Sequence, residues 1–293
     1  MPNPKNMRVG VVMHGYPAPQ DVQPAERFEW LIERAGELGL TCLHVGRVGT
    51  DPERLQRARA MAEERNIELE LGAPGVFDLV GPNAESAREQ LLGAMDVARQ
   101  LGCEIMRTGY GRLNIETSRF SRDIPLDEHL GMLVSNLKEA GHIYADSGLL
   151  LAIENHCDFT GRQLAWILDE VDSSVVGCAL DTANGYTVFC DANDDVQDLA
   201  RHAFTTHMKD MKIVNWSEPG LIPMIALGTA VGEGDVDMPR AIETLAEQSP
   251  RAEGLHLIVE TGWMGEIPSD VDSDEHLRDV FHRSISYLQN LLA

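Results

Sequence analysis

The sequence predicts an α/β protein, a (β/α)8 TIM-type barrel that forms a single domain over residues 1–293, and three observations carry that prediction. Short apolar runs alternate with amphipathic helical segments eight times along the chain. No linker, low-complexity tract or short-period repeat interrupts the alternation. Four of the later runs end on a side chain able to ligate a metal, as expected where strands deliver their carboxyl ends to one rim. Length alone does not decide, because 293 residues also accommodate two smaller domains. The competing architecture is a doubly wound open sheet. It usually has fewer strands, and no GxGxxG follows the first run.

The elements follow in order. Strand one covers residues 8–14 and precedes a helix over 24–38, with Pro24 suited to a first helical turn. Strand two, 41–45, leads to a helix over 52–65 that Asp51 can N-cap. Strand three, 67–71, passes through a Gly- and Pro-rich loop to a helix over 84–100. Strand four, 104–107, is followed by a long loop, 108–125, and a helix over 126–146 closed by Gly148. Strand five begins at Leu149 as five apolar residues in a row, which suits a strand buried on both faces; its helix covers 161–171. Strand six, 175–180, leads to a helix over 194–202, and strand seven is short, 203–207. The segment 211–235 is read as non-periodic and holds Pro219, Gly220, Pro223, Gly228, Gly232 and Gly234. A helix over 238–248, strand eight at 255–259, a connection through Gly262 to Pro268 and a helix over 274–292 complete the chain.

Composition narrows the function. Hydrophobic residues at 43% and charged residues at 24% fit a globular chain with a sizeable core. The formal charge of −23 argues against nucleic acid and anionic membranes as partners. Lysine occurs only at positions 5, 138, 209 and 212, leaving 20 of the 24 basic residues as arginine. An acidic, lysine-poor surface suits a salt-rich cytoplasm; a GC-rich genome explains the arginine equally well. The five cysteines are odd in number and lack CxxC spacing, so reduced thiols and a cytoplasmic location are expected. Neither a signal peptide nor an apolar run of about 18 residues, the length a membrane span needs, is evident.

The runs ending on chemistry are strand five on Glu154-Asn155-His156, strand six on Asp181, strand seven on His207 and strand eight on Glu260. In a closed barrel these are neighbouring strand ends, so the four side chains converge on one half of the mouth. Three carboxylates gathered there need protons or a cation. Three oxygen donors and one imidazole favour a hard or borderline divalent ion, Mn²⁺ first and Mg²⁺ or Co²⁺ as alternatives, over thiolate-bound zinc.

The chain resembles the xylose-isomerase-like, or sugar phosphate isomerase/epimerase, TIM barrels. The resemblance covers nearly its whole length. It is carried by Ala152-Ile153-Glu154-Asn155-His156, Leu180-Asp181-Thr182, His207-Met208-Lys209-Asp210, Gly232-Glu233-Gly234 and Val259-Glu260. It implies that Glu154, Asp181, His207 and Glu260 hold one divalent cation, and that Glu154 and Glu260 also form the acid/base pair. The cation would grip a carbonyl and an adjacent hydroxyl of a carbohydrate, with a metal-bound cis-enediolate as the intermediate. Relatives of this kind are often dimers or tetramers.

Two departures qualify the resemblance. Sugar epimerases of the family usually carry His where this chain has Asn184, and Arg where it has Lys209 and Lys212. An amide binds a hydroxyl but cannot titrate near neutrality. The runs at 154–159 and 207–211 look more like a branch acting on keto-sugar acids, whose members include a decarboxylase of 3-oxo-isoapionate. The leading expectation is therefore a metal-dependent isomerase or epimerase on a sugar or keto-sugar. The alternative is a lyase on the same scaffold, either a decarboxylase or a keto-sugar dehydratase.

Lys209 can meet a substrate carboxylate, a phosphate or an oxyanion, or simply pair with Asp210. His156, Asn184, Arg107, His14 and Trp263 are candidate substrate contacts, and Arg47 is a further pocket-lining candidate. Cys157 reads as inert filler. A phosphodiester-cleaving repair enzyme is disfavoured by the acidic charge, and a purely binding barrel by the intact ligand set.

Overall fold

A computed structural model describes residues 5–111, 114–215, 224–265, 267 and 269–293. Eight strands run parallel around a closed barrel: β1 (Arg8–Val12), β2 (Cys42–Val45), β3 (Glu68–Gly72), β4 (Ile105–Gly109), β5 (Leu150–Glu154), β6 (Val176–Asp181), β7 (Ala203–Met208) and β10 (His256–Val259). β10 closes the ring between β7 and β1. Among the described residues, eight α-helices surround the barrel: α1 (Arg27–Glu37), α2 (Pro52–Glu64), α3 (Ala84–Leu101), α4 (Leu126–Tyr144), α5 (Gly161–Val171), α6 (Ala192–Leu199), α7 (Met238–Gln248) and α8 (Ser273–Leu292). None of them is long and apolar enough to cross a membrane.

The strands form because their alternating sides meet two different apolar layers. Met106 accepts a hydrogen bond from the Tyr144 hydroxyl of α4, so its neighbours Ile105 and Arg107 point into the barrel. Inside, Ile105, Ala152, Ala179 and Phe204 pack as a small cluster of their own, apart from the large core between strands and helices. Two residues beyond Ala152 and Ala179 on the same side come Glu154 and Asp181. The inward row thus changes from apolar to ionisable at the rim.

Local signals account for most boundaries. Asp51 accepts from the Glu53 N–H as the N-cap of α2, with Pro52 in the first turn. Thr160 and Gln163 form a reciprocal capping box at the start of α5. Two helices start more than one residue from their predicted positions. α1 starts at Arg27 rather than Pro24, because Pro24 belongs to a turn in which the Glu26 N–H bonds the Gln23 carbonyl. α6 starts at Ala192, where Asp191 caps it, and its end tightens into a 3-10 turn over Ala200–His202. Among the described residues, the loop over 108–125 contains a 3-10 turn, Ile115–Thr117, begun by Asn114.

The main correction lies in the segment read as non-periodic. It holds an antiparallel hairpin, β8 (Asp210–Asn215) with β9 (Met224–Thr229), paired from Asp210 opposite Thr229 to Asn215 opposite Met224. Pro219, Gly220 and Pro223 lie outside the described residues, as does Pro268 in the connection after β10. Asp210 anchors the hairpin: its carboxylate accepts the backbone N–H groups of Met211, Gly232, Gly234 and Val236 at 2.9–3.2 Å. The Gly232-Glu233-Gly234 motif follows from that cradle. Gly232 has φ +90°, and a Cβ on Gly234 would lie 2.1 Å from Asp210 Oδ1.

Candidate metal centre

Each of the four predicted ligands stands at or just beyond the carboxyl end of its strand: Glu154 and Asp181 close β5 and β6, His207 is the penultimate residue of β7, and Glu260 follows β10. One ligand atom from each lies within 4.8 Å of all the others. Asp181 and His207 are buried, while Glu154 and Glu260 keep an edge to solvent. Neighbouring side chains fix this arrangement. Asn155 continues the β5–β6 ladder with its amide, accepting from the Asp181 N–H at 2.7 Å and donating to the Asp181 carbonyl at 2.9 Å. Asp181 Oδ1 accepts from the Ala183 and Asn184 N–H groups, which leaves Oδ2 facing the cluster.

His207 occupies the middle. Its Nδ1 is 3.0 Å from Glu260 Oε2 and 3.6 Å from Glu154 Oε1. Its Nε2 is 3.2 Å from His44 Nδ1 of β2. Burial opposes charge on the His207 ring, as does Arg107, but the two glutamates outweigh both and raise its pKa. Burial also holds the His44 imidazole well below its usual pKa, aided by Arg107 and His207. A neutral His44 can accept the Nε2 proton of His207, turning Nδ1 into a lone-pair donor toward the carboxylates.

The donor set fits a divalent cation. Among the described residues, Asp181 Oδ2, Glu260 Oε2 and His207 Nδ1 are buried without a directed hydrogen bond. Such atoms are costly unless an ion or water meets them. Three carboxylates and an imidazole are the donors that Mn²⁺, Mg²⁺ or Co²⁺ takes. Glu154, Asp181, His207 and Glu260 therefore form a cluster able to hold a metal ion.

The other predicted residues divide into two groups. Asn184, Lys209, His14 and His156 are at the centre. Asn184 Nδ2 is 3.4 Å from Glu154 Oε1, and His14 Nε2 is 3.2 Å from Glu260 Oε1. Lys209 Nζ lies 2.7 Å from Asp181 Oδ2, 2.8 Å from Glu260 Oε2 and 3.1 Å from Asn184 Oδ1. It does not pair with Asp210, since successive residues point to opposite sides and Asp210 faces the glycine cradle. His156 Nδ1 is 3.6 Å from Asp158 Oδ2. Burial would lower the His156 pKa, but Asp158 and Glu154 together raise it.

Arg107 lies beneath the centre, and Arg47 and Trp263 have other surroundings. β4 continues to Gly109, so Arg107 sits a layer below the rim, 2% exposed, with no surface for a substrate. It supports Glu154 from beneath at 3.7 Å and reaches Glu70 at 3.6 Å. Arg47 lines a separate crevice with Val48, Leu71 and Gln90. Trp263 is 58% exposed, and its carbonyl accepts from the Gly228 N–H of the hairpin. The Cys157 thiol is raised by burial, in keeping with an inert role.

Sequence reasoning missed His44, Glu70 and Thr182 as parts of the assembly. His44 was visible only as the one ionisable imidazole in the apolar strand β2, and Glu70 as one of two glutamates in β3. Thr182 donates to the Lys209 carbonyl at 2.6 Å and accepts the Lys209 N–H at 2.9 Å, fixing the main chain beside the centre.

A barrel with ionisable strand ends gathered at one rim is an α/β barrel with a candidate metal centre. More narrowly, the family model described as "Xylose isomerase-like TIM barrel" matches residues 32–285, and the chain belongs to that family. It is 23% identical over 265 residues to a 3-oxo-isoapionate decarboxylase of Pectobacterium atrosepticum, covering 88% of this chain and 86% of the relative. A probable 3-DHS dehydratase from Bacillus anthracis superposes with TM-score 0.69 at 16% identity, covering 97% of this chain and 99% of the other. D-psicose 3-epimerase, solved in the presence of D-fructose, gives TM-score 0.68 at 13% identity over 98% of this chain and 99% of the other. The relatives named thus include a decarboxylase, a probable dehydratase and an epimerase, and the structural matches support the fold.

Proposed function

We propose that the chain is a divalent-metal-dependent lyase that decarboxylates a 3-oxo sugar acid, a compound of the 3-oxo-isoapionate kind. The observation that carries this reading is Lys209. The centre contains an ammonium in addition to a complete ligand set, and a carboxylate-bearing substrate gives that ammonium a partner. Whole-length similarity to a decarboxylase points the same way. A cation held by Glu154, Asp181, His207 and Glu260 would supply a Lewis acid for the 3-oxo group and an adjacent hydroxyl.

The chain's own residues do the rest. Asn184 and His14 flank the ligands and can bind hydroxyls, His156 stands beside Glu154, and Lys209 orients the carboxylate. Loss of CO₂ breaks the carbon–carbon bond and leaves its electron pair as an enediolate. Glu154 or Glu260 then passes one proton from solvent to that carbon. Although burial raises both glutamate pKa values, His207 with Arg107 pulls Glu154 down to about 2, and His207 with Lys209 holds Glu260 well below the usual carboxylate range.

This reverses the order of the two sequence expectations. Isomerisation or epimerisation remains the second reading, favoured by the approach of both Glu154 and Glu260 to the same His207 nitrogen. In that reading one glutamate removes the proton beside the carbonyl and the other returns it. A single experiment separates the two. The manganese-loaded protein is incubated in D₂O with 3-oxo-isoapionate and a panel of ketoses, while CO₂ and solvent deuterium in recovered sugars are measured. CO₂ release without isomers supports the lyase; deuterated isomers without CO₂ reject it.

A further inference from the structure

We propose that Lys209 is a tethered stand-in for the divalent cation. In the metal-free protein its ammonium holds the carboxylates of Asp181 and Glu260, and it is displaced when a divalent ion takes those oxygens. The inference rests on reading the four-residue cluster as a metal centre. It goes further by assigning one side chain two alternative positions.

The ammonium is at ion-pair distance from two of the three candidate carboxylates, 2.7 Å from Asp181 Oδ2 and 2.8 Å from Glu260 Oε2. These pairs have the right charge and poor direction. Among the described residues neither oxygen receives a well-aimed hydrogen bond, whereas Lys209 Nζ does donate to Asn184 Oδ1 at 3.1 Å. Coulombic attraction holds the group there without the alignment of a settled partner. The same two oxygens belong to the set whose ligand atoms gather within 4.8 Å.

One pair of oxygens cannot serve both cations at contact. An ion about 2.1 Å from Asp181 Oδ2 lies within about 5 Å of an ammonium touching that oxygen, since the two separations bound their distance. Two cations so close in a buried site repel strongly. The lysine is the part able to yield. Its main chain is clamped by Thr182 through two hydrogen bonds, while its four-carbon stem carries a point charge with rotatable donors. Asn184, uncharged and already accepting from Nζ, gives the ammonium a partner that is not one of the four ligands.

Two effects follow. Lys209 screens the carboxylates from one another before metal arrives, and expelling it weakens the affinity for metal. The test uses Mn²⁺ alone, without substrate, on the full-length wild type, Lys209→Met and Lys209→Gln. Each protein is loaded with manganese and titrated with a chelator to give Kd, and the chelated forms are melted. Both variants are expected to bind Mn²⁺ at least tenfold more tightly than the wild type and to melt at lower temperature once chelated. Chelator competition starts from the loaded protein, so the comparison survives a variant that unfolds without metal. Equal or weaker Mn²⁺ binding by the variants overturns the inference while leaving the metal centre intact. Failure of the wild type to bind Mn²⁺ overturns the centre and the inference together.

Discussion

The two ends of the barrel interior solve the same electrostatic problem differently. At the amino-terminal end, His256 donates from both ring nitrogens, Nδ1 to Glu70 at 2.6 Å and Nε2 to Glu68 at 2.8 Å, and Arg8 closes the row on Glu68 at 2.7 Å. Thr205 adds a hydroxyl to Glu70. At the mouth, Glu154, Asp181, His207 and Glu260 meet with three atoms lacking directed hydrogen bonds among the described residues, against one, Glu70 Oε2, at the other end. Arg107 lies between, touching Glu70 on one side and Glu154 on the other. Charges with permanent protein partners stabilise a fold; charges left short of partners are arranged for something that comes and goes.

That contrast breaks most sharply at the mouth. Asp181→Ala is expected to abolish metal binding and turnover, read by manganese calorimetry and CO₂ release. In the wild type, Mn²⁺ at about one hundred times its Kd should add about 2.7 kcal/mol of stability, a gain that Asp181→Ala should lack in a melting assay.

Substitution at the other end should act on stability. His256→Leu leaves Glu70 buried without its main partner, and loss of one member of a buried pair costs about 3–5 kcal/mol. Urea unfolding should register that loss, while Mn²⁺ affinity per folded molecule stays near the wild-type value.

The same histidine sets a pH dependence. Burial alone would lower its pKa, but Glu68 and Glu70 raise it to about 9. Because the folded value exceeds the unfolded one, its stabilisation is complete below about pH 6.5 and is lost as pH rises toward 9. The span corresponds to roughly 3 kcal/mol. Urea midpoints of chelated protein between pH 6 and 10 should fall accordingly, with a flatter profile in His256→Gln.

The smallest effect should come from His44, which touches a ligand but is not one of the four. His44→Leu should weaken Mn²⁺ about tenfold through loss of the acceptor for His207 Nε2. His44→Gln, whose amide oxygen can still accept, should recover part of that loss.

The barrel and the four-residue cluster at its mouth were legible because each member ends an apolar run, and strand ends in this architecture share one rim. The β8–β9 hairpin was not. Its apolar stretches, Ile213-Val214 and Ile225-Ala226-Leu227, were outweighed by the glycines and prolines around them. Arg107 was placed at the rim because β4 was ended two residues early, and two residues along a strand are about 7 Å of depth. Lys209 stayed open between a substrate group and its chain neighbour Asp210, because its partners Asp181 and Glu260 come from other strands. His44 and Glu70 act through strands distant in sequence, and no local pattern reports such contacts.

The Asp210 cradle has a consequence for how the protein can be altered. By gathering amides from both sides of the excursion, Met211 before it and Gly232, Gly234 and Val236 after it, one carboxylate staples the exit and re-entry points together. The two ends of the hairpin therefore stay joined at the barrel whatever the length of chain between them.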